Sequence, residues 1–213
     1  MKIIKNINRV GILAIIFIFI SGISVFAVTF SQLYITGSKY YTSSNENAVY
    51  VSDDYIYMVG PGTATVTAAD DNSTWNLVVE GEGDSKVKTY VEFLQSFPNS
   101  VANYSDKEKV KALLKYMSDH NFAMDQSSSS KYNLLVGQPA DCNAYANICT
   151  DTLRRCGIDC EVVAEGGGST HVYNKIYVDN KWYNLDASLY IKMSSSNRQY
   201  YIDNLFNDSN IVN

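Results

Sequence analysis

The run "HVYNKIYVDNKWYNLDA", residues 171–187, leaves a folding chain little choice. Alternating apolar and polar residues stand on either side of Asp179-Asn180, and two turn-forming residues between such runs close a tight antiparallel hairpin. With 179 and 180 as the loop, Val178 pairs with Lys181, Tyr173 with Asp186 and His171 with Ser188. Successive side chains alternate between the two faces of a strand. His171 and Asp186 therefore project from one face as diagonal neighbours, roughly 7–8 Å apart at the backbone and within side-chain reach. Val172, Ile176, Val178, Leu185 and Ala187 fall on the opposite face and read as core. A slip of one residue would send the His and the Asp to opposite faces, so the turn decides whether they meet.

All four cysteines lie upstream in "PADCNAYANICTDTLRRCGIDC", residues 139–160. Pro139 and Asp141 mark a helix start, with Asp141 as N-cap and Cys142 as the first helical residue. Gly157 marks the end, and Arg154 and Arg155 suit the negative pole just before it. Cys142, Tyr145, Ala146, Cys149, Leu153 and Cys156 share one stripe, which makes Cys149 and Cys156 small hydrophobes of a buried face. Cys142 differs by position. At the first turn its sulfur sits over unpaired N–H groups at the positive end of the helix, which favours a thiolate; the same groups can bind an oxyanion. Asp141 beside it works mildly the other way. Cys156 and Cys160 have no second cysteine pair in ligand spacing, and neither histidine stands in a ligand motif, so the pattern does not predict a metal site. A bridge Cys156–Cys160 and a bridge Cys149–Cys160 are equally compatible with the spacing.

The remaining segments supply context. "SKVKTYVEFLQSF" predicts a helix with Val87, Val91 and Leu94 on one face and Tyr90 beside them, followed by a loop containing Pro98. "SDKEKVKALLKYMSDH" predicts a helix opened by a capping box of Ser105 and Glu108, with Val110, Leu113, Leu114 and Met117 as its buried stripe. His120 just after it reads as solvated, and "DQSSSSKYN" as a polar loop. From Phe30 to about Glu80 short alternating runs are broken by Asp-Asp, Pro-Gly and Asp-Asp-Asn turns, the pattern of β-strands. "GEGD" at 81–84 is a linker-like break.

The N-terminus is expected to stand outside the fold. Lys2, Lys5 and Arg9 precede an apolar run from Gly11 to Phe30, the order of a secretory signal, and Val25 and Ala27 are small enough for cleavage before Val28. Twenty apolar residues can also remain as an uncleaved membrane anchor. Either way the chain is expected at the cell surface or secreted. Loss of residues 1–27 removes three positive charges and no acid, which takes the formal charge from −5 to −8. An acidic chain without a Lys/Arg cluster argues against nucleic acid or anionic lipid as partners.

The Cys142 helix, "THVYNKIYVDNKWYNLDAS" and "DKEKVKALLKYMSDHNFAMD" together resemble the transglutaminase-like superfamily, a papain-like group of cysteine enzymes, over residues 84–205. That resemblance implies an α+β fold with a helix-borne cysteine packed on an antiparallel sheet. It makes Cys142 the nucleophile, His171 the general base and acid, and Asp186 the group that orients His171. Ala140-Asp141 stands where many members have Gly before the Cys, and Tyr173 where Trp is usual. Gln138 is a further candidate donor, and Trp182 and Tyr183 read mainly as core. The segment 41–80 resembles the later strands of a bacterial Ig-like domain of the group 2 type.

The domain expectation is a signal or anchor over 1–27, a β-rich partial Ig-like segment over 28–80 and a catalytic domain over 84–213. The expected activity is acyl transfer through a thioester on protein or peptide, cell-wall material included, with no cofactor. The competing expectations are a non-catalytic surface binding or scaffold module that keeps the fold, and an adhesin-like piece whose residues 30–80 bind.

Overall fold

The computed structural model describes residues 16–20, 23–28, 32–34, 40–52, 55–166 and 170–212, with side chains from Tyr40 onward. The chain divides into two compact units, Met1–Glu92 and Phe93–Asn213.

In the first unit the strands are β1 (Ile16–Ile20), β2 (Ile23–Val28), β3 (Gln32–Tyr34), β4 (Tyr41–Ser43), β5 (Val49–Ser52), β6 (Tyr55–Met58), β7 (Gly62–Ala68) and β8 (Thr74–Val79). They form one sheet in the order β1-β2-β8-β7-β4 and a second in the order β3-β6-β5. Alternation puts Ala64, Val66, Leu77 and Val79 of the first sheet and Val49, Ile56 and Met58 of the second into one buried cluster. The Asp70-Asp71-Asn72 turn joins β7 to β8 as a hairpin, with Asp71 Oδ1 accepting from the Ser73 N–H at 2.9 Å and Asn72 at φ 54°. Pro61-Gly62 does something else: the chain there passes from one sheet to the other. Of the segment expected as a signal or anchor, residues 1–15 and 21–22 lie outside the described residues, as does the Asp53-Asp54 turn. No helix among the described residues is long and apolar enough to cross a membrane.

α1 spans Ser85–Ser100. The sequence reading ended this helix before Pro98, yet Pro98 lies inside its last turn. A proline so near the C-terminus forfeits one bond, to the carbonyl four residues back, and the buried face Val91, Leu94, Phe97 continues past it to Val101.

The second unit continues with α2 (Asp106–Asp119), α3 (Lys131–Leu134), α4 (Cys142–Arg155), β9 (Cys160–Ala164), β10 (Val172–Val178), β11 (Lys181–Leu185), α5 (Ala187–Lys192), α6 (Ser195–Asn204) and β12 (Ile211–Val212). The capping box is present: the Ser105 hydroxyl accepts from the Glu108 N–H, and the Glu108 carboxylate accepts from the Ser105 N–H at 2.8 Å. Val110, Leu113, Leu114 and Met117 are buried. The strands form an antiparallel sheet in the order β12-β11-β10-β9. α4 packs on β9 and β10, and α2, α3 and α5 pack against α4. This is the α+β arrangement expected, with the cysteine helix laid on an antiparallel sheet. Two features depart from the sequence reading. The polar loop contains α3, held by a 2.7 Å ion pair from buried Lys131 to Asp151 on α4. The strand expected through Ala187 stops at Leu185, because Asp186 turns the chain into α5.

Candidate active site

α4 begins and ends where its cap residues dictate. Asp141 is the N-cap, and its Oδ1 accepts from the Ala144 N–H at 3.1 Å. Its other oxygen accepts from the Ser129 hydroxyl at 2.5 Å and the Asn143 side-chain amide at 3.3 Å, and the Asp141 N–H donates to Ser128 O at 2.8 Å. The residue before the cysteine is thus tied to the loop preceding α3. At the far end Gly157 takes φ 82°, the Ile158 N–H bonds Leu153 O and the Gly157 N–H bonds Arg154 O. That pair of bonds closes the last turn in a left-handed cap that favours glycine.

The four cysteines, all free thiols, separate by environment. Burial pushes the Cys149 thiol well up, and the charges of Cys160 and Asp186 push the same way. Burial also pushes Cys160 up, to about 11, against the opposing pull of the Thr150 hydroxyl and Arg154. Cys156, at the helix C-cap, is raised by burial and partly relieved by Lys109. Cys149 and Cys156 behave as members of the apolar stripe the periodicity implied, and Cys160 is buried at the start of β9. Cys142 stands apart as a partly exposed residue at N1, where the first backbone N–H groups of the helix have no partner inside it.

The hairpin has the predicted register. Val178 pairs with Lys181 and the ladder runs to Asn174 opposite Leu185, with Asp179 and Asn180 at φ 51° and 62°. Two successive positive φ values give the type I′ turn whose twist matches the strands. Ile176, Val178, Leu185 and Ala187 are buried, and Val172 is half-buried. On the same core face Asn174 is buried, and its side-chain amide donates to Ala146 O at 3.0 Å, Thr150 Oγ1 at 2.9 Å and Glu161 O at 3.4 Å. The strand that follows His171 is thereby pinned to the helix that begins with Cys142. The Glu165 N–H donates to His171 O at 2.9 Å and closes the β9–β10 end, while Gly167, Gly168 and Ser169 of the expected loop lie outside the described residues.

His171 Nε2 lies 2.6 Å from Asp186 Oδ2. An ionised carboxylate only accepts, so Nε2 carries the proton, and Nδ1 is the nitrogen able to take and return another. The Cys142 thiol lies 4.0 Å from the carbonyl of Thr170, the residue adjoining His171. His171 at the start of β10 and Asp186 at the end of β11 are thus in contact, and Cys142 at the start of α4 lies against the residue before His171.

Asp186 is more than a strand-end acid. It is the N-cap of α5: its Oδ1 accepts from the Leu189 N–H at 2.9 Å and the Ser188 hydroxyl at 2.8 Å. Its own N–H donates to Tyr201 OH at 2.9 Å. Sequence reasoning passed over Ser188 and Tyr201. An Asp-x-Ser start of a helix was the available signal for the first, whereas no local pattern marks the second. Gln138 is exposed, Tyr183 is buried, and Trp182 stacks obliquely on Tyr177 at 5.2 Å. His120 is exposed, with its ring 3.8 Å from that of Tyr116. Among the described residues no group of three or more His, Cys, Asp and Glu is placed to hold a metal ion.

Residues 95–187 match the family model of the transglutaminase-like superfamily. That span runs from α1 to the first residue of α5 and contains Cys142, His171 and Asp186. No curated protein matches the chain.

Proposed function

We propose, from the transglutaminase-like domain of residues 95–187, that the chain is an exported cysteine-dependent acyl-transfer enzyme acting on a carboxamide or peptide carbonyl. The observation that carries this reading is the 2.6 Å contact of His171 Nε2 with Asp186, beside a partly exposed thiol at a helix start. Cys142 gives its proton to His171 Nδ1, and the thiolate attacks the carbonyl carbon, forming the C–S bond and an oxyanion. The backbone N–H groups at the start of α4 are the donors nearest to hand for that oxyanion. Collapse breaks the C–N bond, and His171 returns the proton to the departing amine, leaving a thioester on Cys142. Water or an amine then attacks, losing its proton to His171, and the C–S bond breaks. With water the net reaction is hydrolysis of an amide; with a lysine amine it is an isopeptide crosslink. Asp186 orients the imidazole and stabilises it while charged. Every group in this cycle comes from the chain, and the substrate class is protein or peptide, cell-wall and cell-surface peptides included. Residues 1–27 are proposed to direct export and residues 28–80 to form a partial Ig-like segment.

The test is iodoacetamide alkylation of each cysteine against pH, mapped by mass spectrometry in the wild type, His171→Ala and Asp186→Ala. Fast reaction of Cys142 alone below pH 7, lost in His171→Ala, is the expected result. A Cys142 that reacts as an ordinary thiol, with an apparent pKa of about 8.5, would return the chain to the class of non-catalytic surface modules.

A further inference from the structure

Asp186 sits where the chain leaves a strand and enters a helix, and that change of geometry leaves its N–H without a strand partner. The β10–β11 ladder ends one residue earlier, at Asn174 opposite Leu185. The Asp186 carbonyl accepts from the Tyr190 N–H at 3.0 Å as the first bond of α5, and the carboxylate is shared between Leu189 N–H, the Ser188 hydroxyl and His171. The N–H is taken by the phenol oxygen of Tyr201 at 2.9 Å. This contact reaches Asp186 from outside the hairpin and α5. It comes from α6, which begins at Ser195, beyond the last residue of the family match.

The phenol is held in place from behind. Arg198, one turn earlier on α6, donates from Nε to Tyr190 O at 3.2 Å, from Nη2 to Ile191 O and from Nη1 to Ser118 Oγ at 2.8 Å. It therefore caps the last carbonyls of α5 and joins α6 to α2. The Tyr201 ring lies against Tyr190 with centroids 5.7 Å apart. Burial raises the Tyr201 phenol, against the pull of the Asp186 N–H that donates to it, so the group facing Asp186 is a neutral hydroxyl.

We propose that Tyr201 is a positioning residue of the active site, a part that this chain's C-terminal helix adds to the domain. By fixing the Asp186 backbone it sets the carboxylate that orients His171, and it acts on the reaction only through that carboxylate. The proposal rests on the catalytic reading above. Tyr201→Phe removes one oxygen and keeps the ring, which leaves the Asp186 N–H unpaired and the carboxylate free to drift.

The experiment is the pH profile of Cys142 alkylation in the full chain for four proteins: wild type, Asp186→Ala, Tyr201→Phe and Tyr190→Phe. The last removes a hydroxyl from the same aromatic pair without touching Asp186. Exchange protection of the Asp186 amide is measured alongside. In Tyr201→Phe the rate at pH 6 should fall about tenfold, as expected for one lost buried hydrogen bond. The alkaline limb should move down in the direction that Asp186→Ala moves it further, because a less stabilised imidazolium gives up its proton earlier. Amide protection at Asp186 should drop, and Tyr190→Phe should track the wild type. A folded Tyr201→Phe with the wild-type profile overturns the proposal while leaving the catalytic reading intact, provided Asp186→Ala still collapses it. An equal shift in Tyr190→Phe overturns it as a packing effect. If the wild type shows no reactive Cys142, the catalytic reading itself has failed and the proposal falls with it.

Discussion

Asn174 shows how much one buried polar side chain can decide. The alternation that puts Ile176 and Val178 in the core puts Asn174 there too, and a buried amide has to find partners or cost about 1–3 kcal/mol. Its nitrogen finds them on both neighbouring elements, Ala146 and Thr150 of α4 and Glu161 of β9, while its oxygen stays buried without one. The core face was legible from the hairpin period, but the partners lie 13 to 28 residues away and no local pattern names them. Asn174→Asp would turn an oxygen toward the carbonyls of Ala146 and Glu161 and bury a carboxylate. We expect its folded-state pKa to be raised above the unfolded value of about 3.9. The sign follows: the folded state binds the extra proton, so the loss is small below pH 4 and grows as pH rises past it. Urea unfolding at pH 8 should show a cost of about 3 kcal/mol or more, as for an uncompensated buried charge. The apolar Asn174→Leu should cost less. An Asn174→Asp protein as stable as wild type at pH 8 would refute the pinning role.

At the scale of elements, the hairpin was legible and the start of α5 was not, for one physical reason. A type I′ turn is decided by two adjacent residues and the alternation beside them, all within seventeen positions. Asp179 and Asn180 both adopt positive φ, which Asn and Asp tolerate better than most residues and glycine better still. The end of β11 depends on a helix cap and a phenol fifteen residues on, so alternation alone carries the expected strand two residues too far. α3 was hidden in the same way: its four residues sit in a polar run, and its anchor, Asp151, is on another helix. If the turn sets the register that brings His171 to Asp186, its chemistry can be tuned. Asn180→Gly should be neutral or stabilising by up to about 0.5 kcal/mol, the relief of φ offset by a freer unfolded chain. Asn180→Val should cost about 1–2 kcal/mol, because a β-branched residue resists positive φ. Thermal melts of the two variants check the order. Equal melting temperatures would mean that strand pairing, and not the turn, holds the register.

At the scale of the molecule, the second unit holds three thiols that its fold keeps neutral, and this has a thermodynamic signature. Cys160 goes from an ordinary value of 9.0 to about 11, Cys149 goes well above its own, and the Tyr145 and Tyr201 phenols are raised in the same direction, burial being the first cause in each case. A folded-state value above the unfolded one means that the native chain keeps a proton the unfolded chain releases. The stability so contributed is complete below about pH 8.5, where the unfolded thiol is itself protonated. It is lost progressively as pH rises toward the folded-state value of Cys160 near 11. For Cys160 alone, the rise to about 11 corresponds to about 2–3 kcal/mol. The melting temperature should therefore hold a plateau through neutral pH and fall between pH 8.5 and 11. In Cys160→Ala the plateau should be lower, through lost packing, but the alkaline fall shallower, because one of the titrating groups is gone. Cys142→Ala, at the exposed start of α4, should lower neither the plateau nor the slope by a comparable amount. Differential scanning calorimetry across pH 6 to 11 separates these cases. An alkaline fall of the same steepness in Cys160→Ala and the wild type would show that this thiol does not carry this part of the stability, and would shift the cause to Cys149 and the buried phenols.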